Sequence, residues 1–277
     1  MLVADSGSTK TEWRYCQNGK VRQWVRTQGF NPSTTPISQL QSELKQVAKA
    51  NEWEDVQEIW FYSTGTGTES RKADLQIALQ QAFPQAEIRV MDDLVGAARS
   101  TLREEGVVAI LGTGSNAARH HEGQIVARNG GLGYLIGDEG SGADLGKHLL
   151  KAVLEKRLPQ EVRRFLHQKE GMSPEELLRV IYQAPRPHLR LSQLAPYYQD
   201  LLAIAPVREL LLSRFLFFLQ ASVLPLIGDA ELPIDTIGSI GFHYQGVFAK
   251  ACQQLGLPSG KAILQPVEAL ATYHIRA

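Results

Sequence analysis

Only two cysteines, Cys16 and Cys252, occur in this chain of 277 residues, and they lie far apart with no metal-type spacing. A disulfide framework is excluded, and a reducing cytoplasm is the expected setting. Charge of one sign is lacking too: 29 basic and 29 acidic residues cancel. That balance argues against a dedicated nucleic-acid or anionic-membrane surface. The most apolar stretch, Phe215 to Gly228, is short and contains Gln220 and Pro225, so it reads as a buried helix rather than a membrane span. Strand-forming residues begin at Leu2, so no signal peptide is expected. No Gly-x-x-x-x-Gly-Lys-Ser/Thr occurs; the nearest stretch, Gly142 to His148, is one residue short and lacks the hydroxyl. No Gly-x-Gly-x-x-Gly follows a strand, which argues against a dinucleotide-binding domain.

What the chain does have is a set of apolar runs that stop at small-residue turns. Leu2 to Ala4 meets Asp5-Ser6-Gly7-Ser8-Thr9-Lys10-Thr11, Ile59 to Tyr62 meets Ser63 to Thr68, Val107 to Leu111 meets Gly112-Thr113-Gly114-Ser115-Asn116, and Ile234 to Ile237 meets Gly238-Ser239-Ile240-Gly241. Such turns expose backbone N–H groups and let a phosphate approach. They would lie at the carboxyl ends of strands, where ligands of α/β sheets bind. Asp5 at its strand end is a candidate to hold a hydrated magnesium ion, and Thr9, Lys10 and Thr113 are candidate phosphate contacts.

The elements repeat. Strands over 2–4, 11–15 and 21–27, a helix over 38–50, a strand over 56–62, a helix over 71–83, a strand over 88–91 and a helix from Asp92-Asp93 onward give the order βββαβαβα. Strands over 107–111, 117–120 and 124–128 restart it, followed by a helix from Ser141, a mainly helical insertion over 150–227, a strand over 235–237, a helix over 244–255, a strand over 262–264 and a helix over 266–274. The expected fold is α/β, with one domain over 1–104 and a second over 105–277 that holds the insertion, the last helix (266–277) having the option of packing on the first domain. Pro185-Arg186-Pro187-His188 breaks the insertion.

Asp5-x-Gly7-x-Thr9-Lys10-Thr11, Asp93-x-x-Gly96, Gly112-Thr-Gly-Ser-Asn116, Gly137-Asp-Glu-Gly-Ser141 and Gly238-Ser-Ile-Gly241 follow one another in that order. As a set they resemble the N-acetylglucosamine kinase and BadF/BadG-type ATPase family, within the sugar kinase, heat-shock ATPase and actin superfamily. The closing Pro266 to His274 stretch is similar to that family's short bacterial branch. The resemblance covers nearly the whole chain. It implies two duplicated ribonuclease-H-like domains with ATP and sugar meeting in a cleft between them. It also implies a phosphate loop at Asp5–Thr11 (Asp5, Gly7, Ser8, Thr9, Lys10), a second at Gly112, Thr113 and Gly114, and an adenosine turn at Gly238, Ser239 and Gly241. The sugar is then expected against Asn31, Asp93, Ser115, Asn116, Gly131, Leu132, Gly133 and Asp138. Leu132 stands where some members have an aromatic, and Ser6 replaces the first glycine of the common Asp-Gly-Gly.

A kinase of this kind must orient or deprotonate a hydroxyl while stabilising charge on the transferred phosphoryl. Asp92 and Asp93 both sit where a base or a helix cap would sit. The family's count of three residues back from Gly96 selects Asp93 as base. The resemblance thus implies transfer from ATP, with Mg2+, to a hydroxyl (O6) of an amino sugar, N-acetylglucosamine first and glucosamine or N-acetylmuramate next. A homodimer through the second domain is the oligomer it suggests. An ATPase activator of a radical dehydratase, the other branch, needs cysteines for a shared iron–sulfur cluster, and two isolated cysteines do not supply them. A sugar-sensing repressor would carry a DNA-binding segment, for which a first strand opening at Leu2 leaves no place. His120 and His121 read as strand-end surface residues rather than metal ligands.

Overall fold

Leu2, Val3 and Ala4 are all fully buried, as a central strand covered on both faces requires. A computed structural model, which describes residues 1–7, 9–32, 35–228 and 230–276, places that strand, β1 (Leu2–Ser6), in the middle of a five-stranded sheet. The other strands are β2 (Lys10–Gln17), β3 (Lys20–Gln28), β4 (Glu58–Ser63) and β5 (Glu87–Asp92), in the order β3-β2-β1-β4-β5. β1 pairs antiparallel with β2 and parallel with β4, and β4 pairs parallel with β5. β3 alternates between half-buried and exposed residues, the pattern of a sheet edge with one solvated face. Helices α1 (Ile37–Ala50), α2 (Glu69–Ala82) and α3 (Asp93–Ser100) connect and follow these strands.

The chain divides into two compact units: Met1–Glu104 with Glu122–Gln124 and Gln265–Ala277, and Glu105–His121 with Ile125–Leu264. The core of the first is aromatic. Trp13 meets Phe61 at 5.3 Å, Trp53 at 5.7 Å and Phe30 at 6.2 Å between ring centroids. The opposite face is covered by the last helix of the chain, where Leu270 packs with Val3 and Tyr62, and Glu268 accepts hydrogen bonds from the buried Arg14.

The second unit repeats the design. β6 (Glu105–Leu111), β7 (Ser115–His121), β8 (Gln124–Gly130), β9 (Ile234–Ile237) and β10 (Ser259–Ile263) are ordered β10-β9-β6-β7-β8, so β6 to β10 correspond in turn to β1 to β5. The α/β chain with two five-stranded mixed sheets is the duplicated architecture that the resemblance implied. After β8 come α4 (Gly142–Leu154), α5 (Gln160–Glu170), α6 (Pro174–Gln183), α7 (Pro187–Ser192), α8 (Tyr197–Leu201), α9 (Ala205–Phe218) and, past a π-helical turn over Leu219–Val223, α10 (Leu224–Ile227). β9 leads into α11 (Ser239–His243) and α12 (Gln245–Gln254), and β10 into α13 (Pro266–Arg276), the helix that covers the first unit.

One expectation needs correcting. The apolar run at 215–228 belongs to a longer helical stretch, Ala205–Ile227, which is long and apolar enough to cross a membrane by length and composition. Arg208, Glu209 and Arg214 interrupt the run in sequence, whereas the helical repeat gathers Val207, Leu211, Phe215, Phe218 and Val223 into the core of the second unit. One face of the stretch is thus a core face, while its Phe217 and Leu224 stay exposed.

Candidate active site

In the first unit, the parallel strands β1, β4 and β5 end in register, Ser6 beside Ser63 and Ser63 beside Asp92. The next residues therefore gather along one edge of the sheet. Asp92 is the N-cap of α3, its carboxylate accepting the Leu94 N–H at 3.0 Å. That separates the two acids: the capping role falls to Asp92, and Asp93 opens the helix with its carboxyl unclaimed by the backbone. Burial pushes the Asp93 carboxyl well above the ordinary carboxylate range, Asp92 and Asp5 add to the rise, and a hydrogen bond with Thr64 opposes it.

Asp5 is pushed up to about 6, first by burial, with the charge of Glu12 adding and that of Lys10 opposing. Asp5 and Glu12 face each other across β1 and β2. Glu12 is itself buried and meets Arg26 at 2.7 Å and Lys10 at 3.1 Å. The Lys10 ammonium is thus tethered to Glu12 while half of the side chain stays exposed. Gly7 N–H donates to the Lys10 carbonyl at 2.9 Å and closes the first loop. Thr9 is exposed beside it; Ser8, named as a phosphate-loop residue, lies outside the described residues.

Asn31 is buried, and its position is fixed through its neighbour. The Ser6 hydroxyl accepts the Phe30 N–H at 3.0 Å and lies 3.2 Å from the Phe30 carbonyl, to which Ser63 donates at 3.0 Å. Ser6, the departure from the family's glycine, acquires a role here as a clamp on the loop before Asn31. Thr64, Ser63 and Ser6 went unremarked as site residues in the sequence; the hydroxyl-rich ends of the apolar runs were the available signal.

In the second unit, α4 staples the Gly112–Gly114 turn. Gly142 N–H donates to the Gly112 carbonyl at 2.7 Å and Ala143 N–H to that of Thr113 at 3.1 Å. Asp138 accepts the Ser115 N–H at 3.3 Å, and a Cβ on Gly114 would stand 2.9 Å from its carboxylate, so a side chain there would displace Asp138. Burial raises the Asp138 carboxyl, eased by the N–H groups of Ser115 and Gly133. Asn116 spends its carbonyl oxygen on the Ala117 N–H at 3.0 Å, which leaves its amide NH2 toward Gly131. Leu132 is 64% exposed, and Leu135 and Ile136 more so, on a loop closed by Gly137 N–H to the Gly133 carbonyl at 2.8 Å. Ser115, Asn116, Gly131, Gly133 and Asp138 are therefore brought together.

Sequence reading passed over Asp144. It accepts from Gly140 N–H at 3.0 Å, from Arg214 at 2.7 Å and pairs with His148 at 3.0 Å. Burial works to raise its carboxyl, but the His148 and Arg214 contacts outweigh burial and hold it down at about 2. It anchors the loop that carries Asp138. Gly238 N–H donates to the Ile263 carbonyl, and a Cβ on Gly238, at φ +105°, would stand 2.8 Å from the Leu111 carbonyl. Ser239 opens the short helix α11, and a Cβ on Gly241 would crowd Thr236. The expected adenosine turn is thus a tight strand–helix junction in which a side chain at either glycine would crowd its neighbours.

The acid at the end of β1 is an oxygen donor of the type a hard divalent cation takes. Asp5 offers a carboxylate oxygen in the field of Lys10 and Glu12, the kind of hard donor that would hold such an ion through its water shell.

With this geometry in view, the model of the BadF/BadG/BcrA/BcrD ATPase family matches residues 4–157. A solved structure from Porphyromonas gingivalis, described as a "putative N-acetylglucosamine kinase", is 32% identical, covers 100% of this chain and 99% of its own, and superposes with a TM-score of 0.94. The N-acetylmuramic acid/N-acetylglucosamine kinase of Clostridium acetobutylicum is 33% identical over 141 residues, 47% of this chain. The chain spans about half the length of that curated relative, 45%. A ROK family glucokinase from Streptomyces griseus, 12% identical with a TM-score of 0.60 over 100% of this chain and 98% of its own, shares the fold.

Proposed function

The chain belongs to the BadF/BadG/BcrA/BcrD ATPase family, and from that premise we propose that it is an ATP-dependent kinase that phosphorylates a hydroxyl, O6, of an amino sugar, with N-acetylglucosamine the first substrate. The observation that carries the reading is the Asp93 carboxyl, raised toward the working range of a general base and released from capping by its neighbour Asp92. Asp93 orients the sugar hydroxyl and takes its proton as the oxygen attacks the γ-phosphorus and ADP departs. Thr9, Lys10, Thr113 and the N–H groups of Gly112 to Gly114 hold the phosphates, Lys10 kept in place by Glu12. Asp5 would hold the magnesium ion through water; when bound, that ion neutralises charge on the β- and γ-phosphates. Asn31, Ser115, Asn116 and Asp138 hold the sugar. Gly131, Leu132 and Gly133 line its edge, and Gly238, Ser239 and Gly241 receive the adenosine. The enzyme works in the cytoplasm, where its nucleotide is made.

The rival reading, an ATPase activator built on an iron–sulfur cluster, draws no support from Cys16 and Cys252, which are buried singly in different units. ADP release with ATP and magnesium, measured without sugar and with glucose, glucosamine, N-acetylglucosamine, N-acetylmannosamine and N-acetylmuramate, tests the proposal. A rise with an N-acetyl sugar supports it; slow hydrolysis indifferent to every sugar sinks it.

A further inference from the structure

Asp93 is the first residue of α3, a helix of 8 residues, so the seating of that helix decides where its carboxyl lies. One side chain does most of the seating. Tyr62, the residue before the end of β4, is fully buried against α3. A Cβ on Gly96 would stand 2.9 Å from its ring, so the helix backbone rests on the ring with no side chain between them. A turn later, Arg99 donates to the Tyr62 phenol oxygen at 2.9 Å. The Arg99 Nε has no acceptor among the described residues, and the guanidinium lies 5.3 to 5.9 Å from the ring centres of Trp60, Tyr62 and Tyr273. The phenol is therefore the polar anchor of this buried cation. Two residues on, past the end of the same strand, Thr64 hydrogen-bonds with Asp93 itself.

The phenol has a second partner. Nε2 of His274, on α13, lies 2.7 Å from the same oxygen, and the His274 ring stacks on Trp60 at 4.1 Å between centroids. A guanidinium only donates, so the phenol accepts from Arg99 and its own hydrogen is left for Nε2. That direction requires a neutral imidazole. Burial first, then the charge of Arg99, pulls the His274 ring down to about 4, which keeps it neutral near pH 7. The hydrogen bonds thus run one way, from the helix that carries the base to the last helix of the chain.

We propose that Tyr62 is a positioning residue for the base, its ring and phenol setting how α3 is seated and so where the Asp93 carboxyl lies, with His274 holding the phenol in place. Tyr62 acts through α3 and touches no reacting atom. The inference rests on the kinase reading.

The test is kcat, with KM for sugar and for ATP, in the wild type, Tyr62→Phe, His274→Ala and His274→Gln, each measured below its own unfolding transition. Tyr62→Phe keeps the ring under Gly96 and removes the oxygen; kcat should fall about tenfold, with both KM values changed by less than about twofold. His274→Ala should lower kcat about threefold, and His274→Gln, whose amide oxygen still accepts, should recover much of it. In an Asp93→Asn background Tyr62→Phe should cost little more, because both changes act on one carboxyl. An unchanged kcat in folded Tyr62→Phe, a rise in KM that matches the fall in kcat, or a full additional loss on top of Asp93→Asn overturns the proposal. If Tyr62→Phe fails to fold, His274→Ala, which leaves the Arg99 contact in place, decides by the same split and the same Asp93→Asn background. If no sugar raises ADP release in the wild type, the kinase reading fails. The NMR resonance of the Asp93 carboxyl carbon, identified by its loss in Asp93→Asn, then decides the placement alone: shifted in Tyr62→Phe it upholds the role of Tyr62, and unmoved it overturns it.

Discussion

Two sheets of the same strand order handle buried carboxylates in opposite ways. In the first unit burial holds Asp5 and Asp93 above their ordinary range, with Glu12 adding to the rise of the first and Asp92 and Asp5 to that of the second. In the second, Asp144 is the more buried by solvent accessibility, yet Arg214 and His148 compensate it and hold it at about 2. A duplicated fold therefore does not duplicate its electrostatics. Buried charge left uncompensated is costly, and it is kept where a ligand or a proton completes the balance. Buried charge that is fully paired is a fastener.

The sharpest break of that contrast is Asp93→Asn, expected to lower turnover by roughly 10²–10⁴-fold while leaving sugar and ATP binding in place. Wild-type-like turnover in ADP release assays would remove Asp93 from its role. Next in size is Asp144→Ala, which strands Arg214 and frees the 138–141 loop. Its expected cost is about 3 kcal/mol in urea unfolding, and an unchanged midpoint would show that the pairing is not a fastener.

The pH response should separate the two carboxylates by sign. Asp5 has its folded pKa raised from 3.8 to about 6, so the folded state holds the proton more tightly and stability contributed at low pH is lost as pH rises from about 4 to 6. Asp144 has its folded pKa lowered from 3.8 to about 2, so its contribution is present above about 4 and lost as pH falls toward 2. Asp5→Asn is therefore expected to raise Tm at pH 7 while it impairs magnesium-dependent turnover. A lower Tm at pH 7 would contradict the uncompensated state of Asp5. The smallest effect concerns positioning. Ser6→Ala removes the clamp on Phe30, and the KM for sugar should rise about three- to tenfold with that for ATP little altered; equal changes in both would assign Ser6 to general stability.

Much of this was legible in the chain because strand ends advertise themselves. Asp5, Gly7, Gly112, Gly114 and Asp93 each follow an apolar run, and the three-strand opening recurs at Val107, so the duplicated α/β fold could be read from order alone. The hidden part depends on pairs distant in sequence. Asp144 is unremarkable until Arg214, on a helix of the insertion, is brought to it. The choice between Asp92 and Asp93 depends on which one the helix uses as its cap. The glycines at 238 and 241 read as a nucleotide turn, and their close contacts with Leu111 and Thr236 add a packing requirement that sequence order does not reveal. Lys10 reads as a phosphate contact in the sequence, and its tether to Glu12, two residues on along the same strand, is visible only in the fold.

The first unit contains both the opening strand and the closing helix, joined by Arg14 and Glu268. A ribosome delivers the chain in order, so β1 to β5 emerge long before their covering helix exists, and the whole second unit is synthesised in between. The nascent first sheet must wait with Val3 and Tyr62 uncovered, a period in which chaperone binding would protect it. Loss of the last dozen residues should therefore harm the beginning of the chain more than its end.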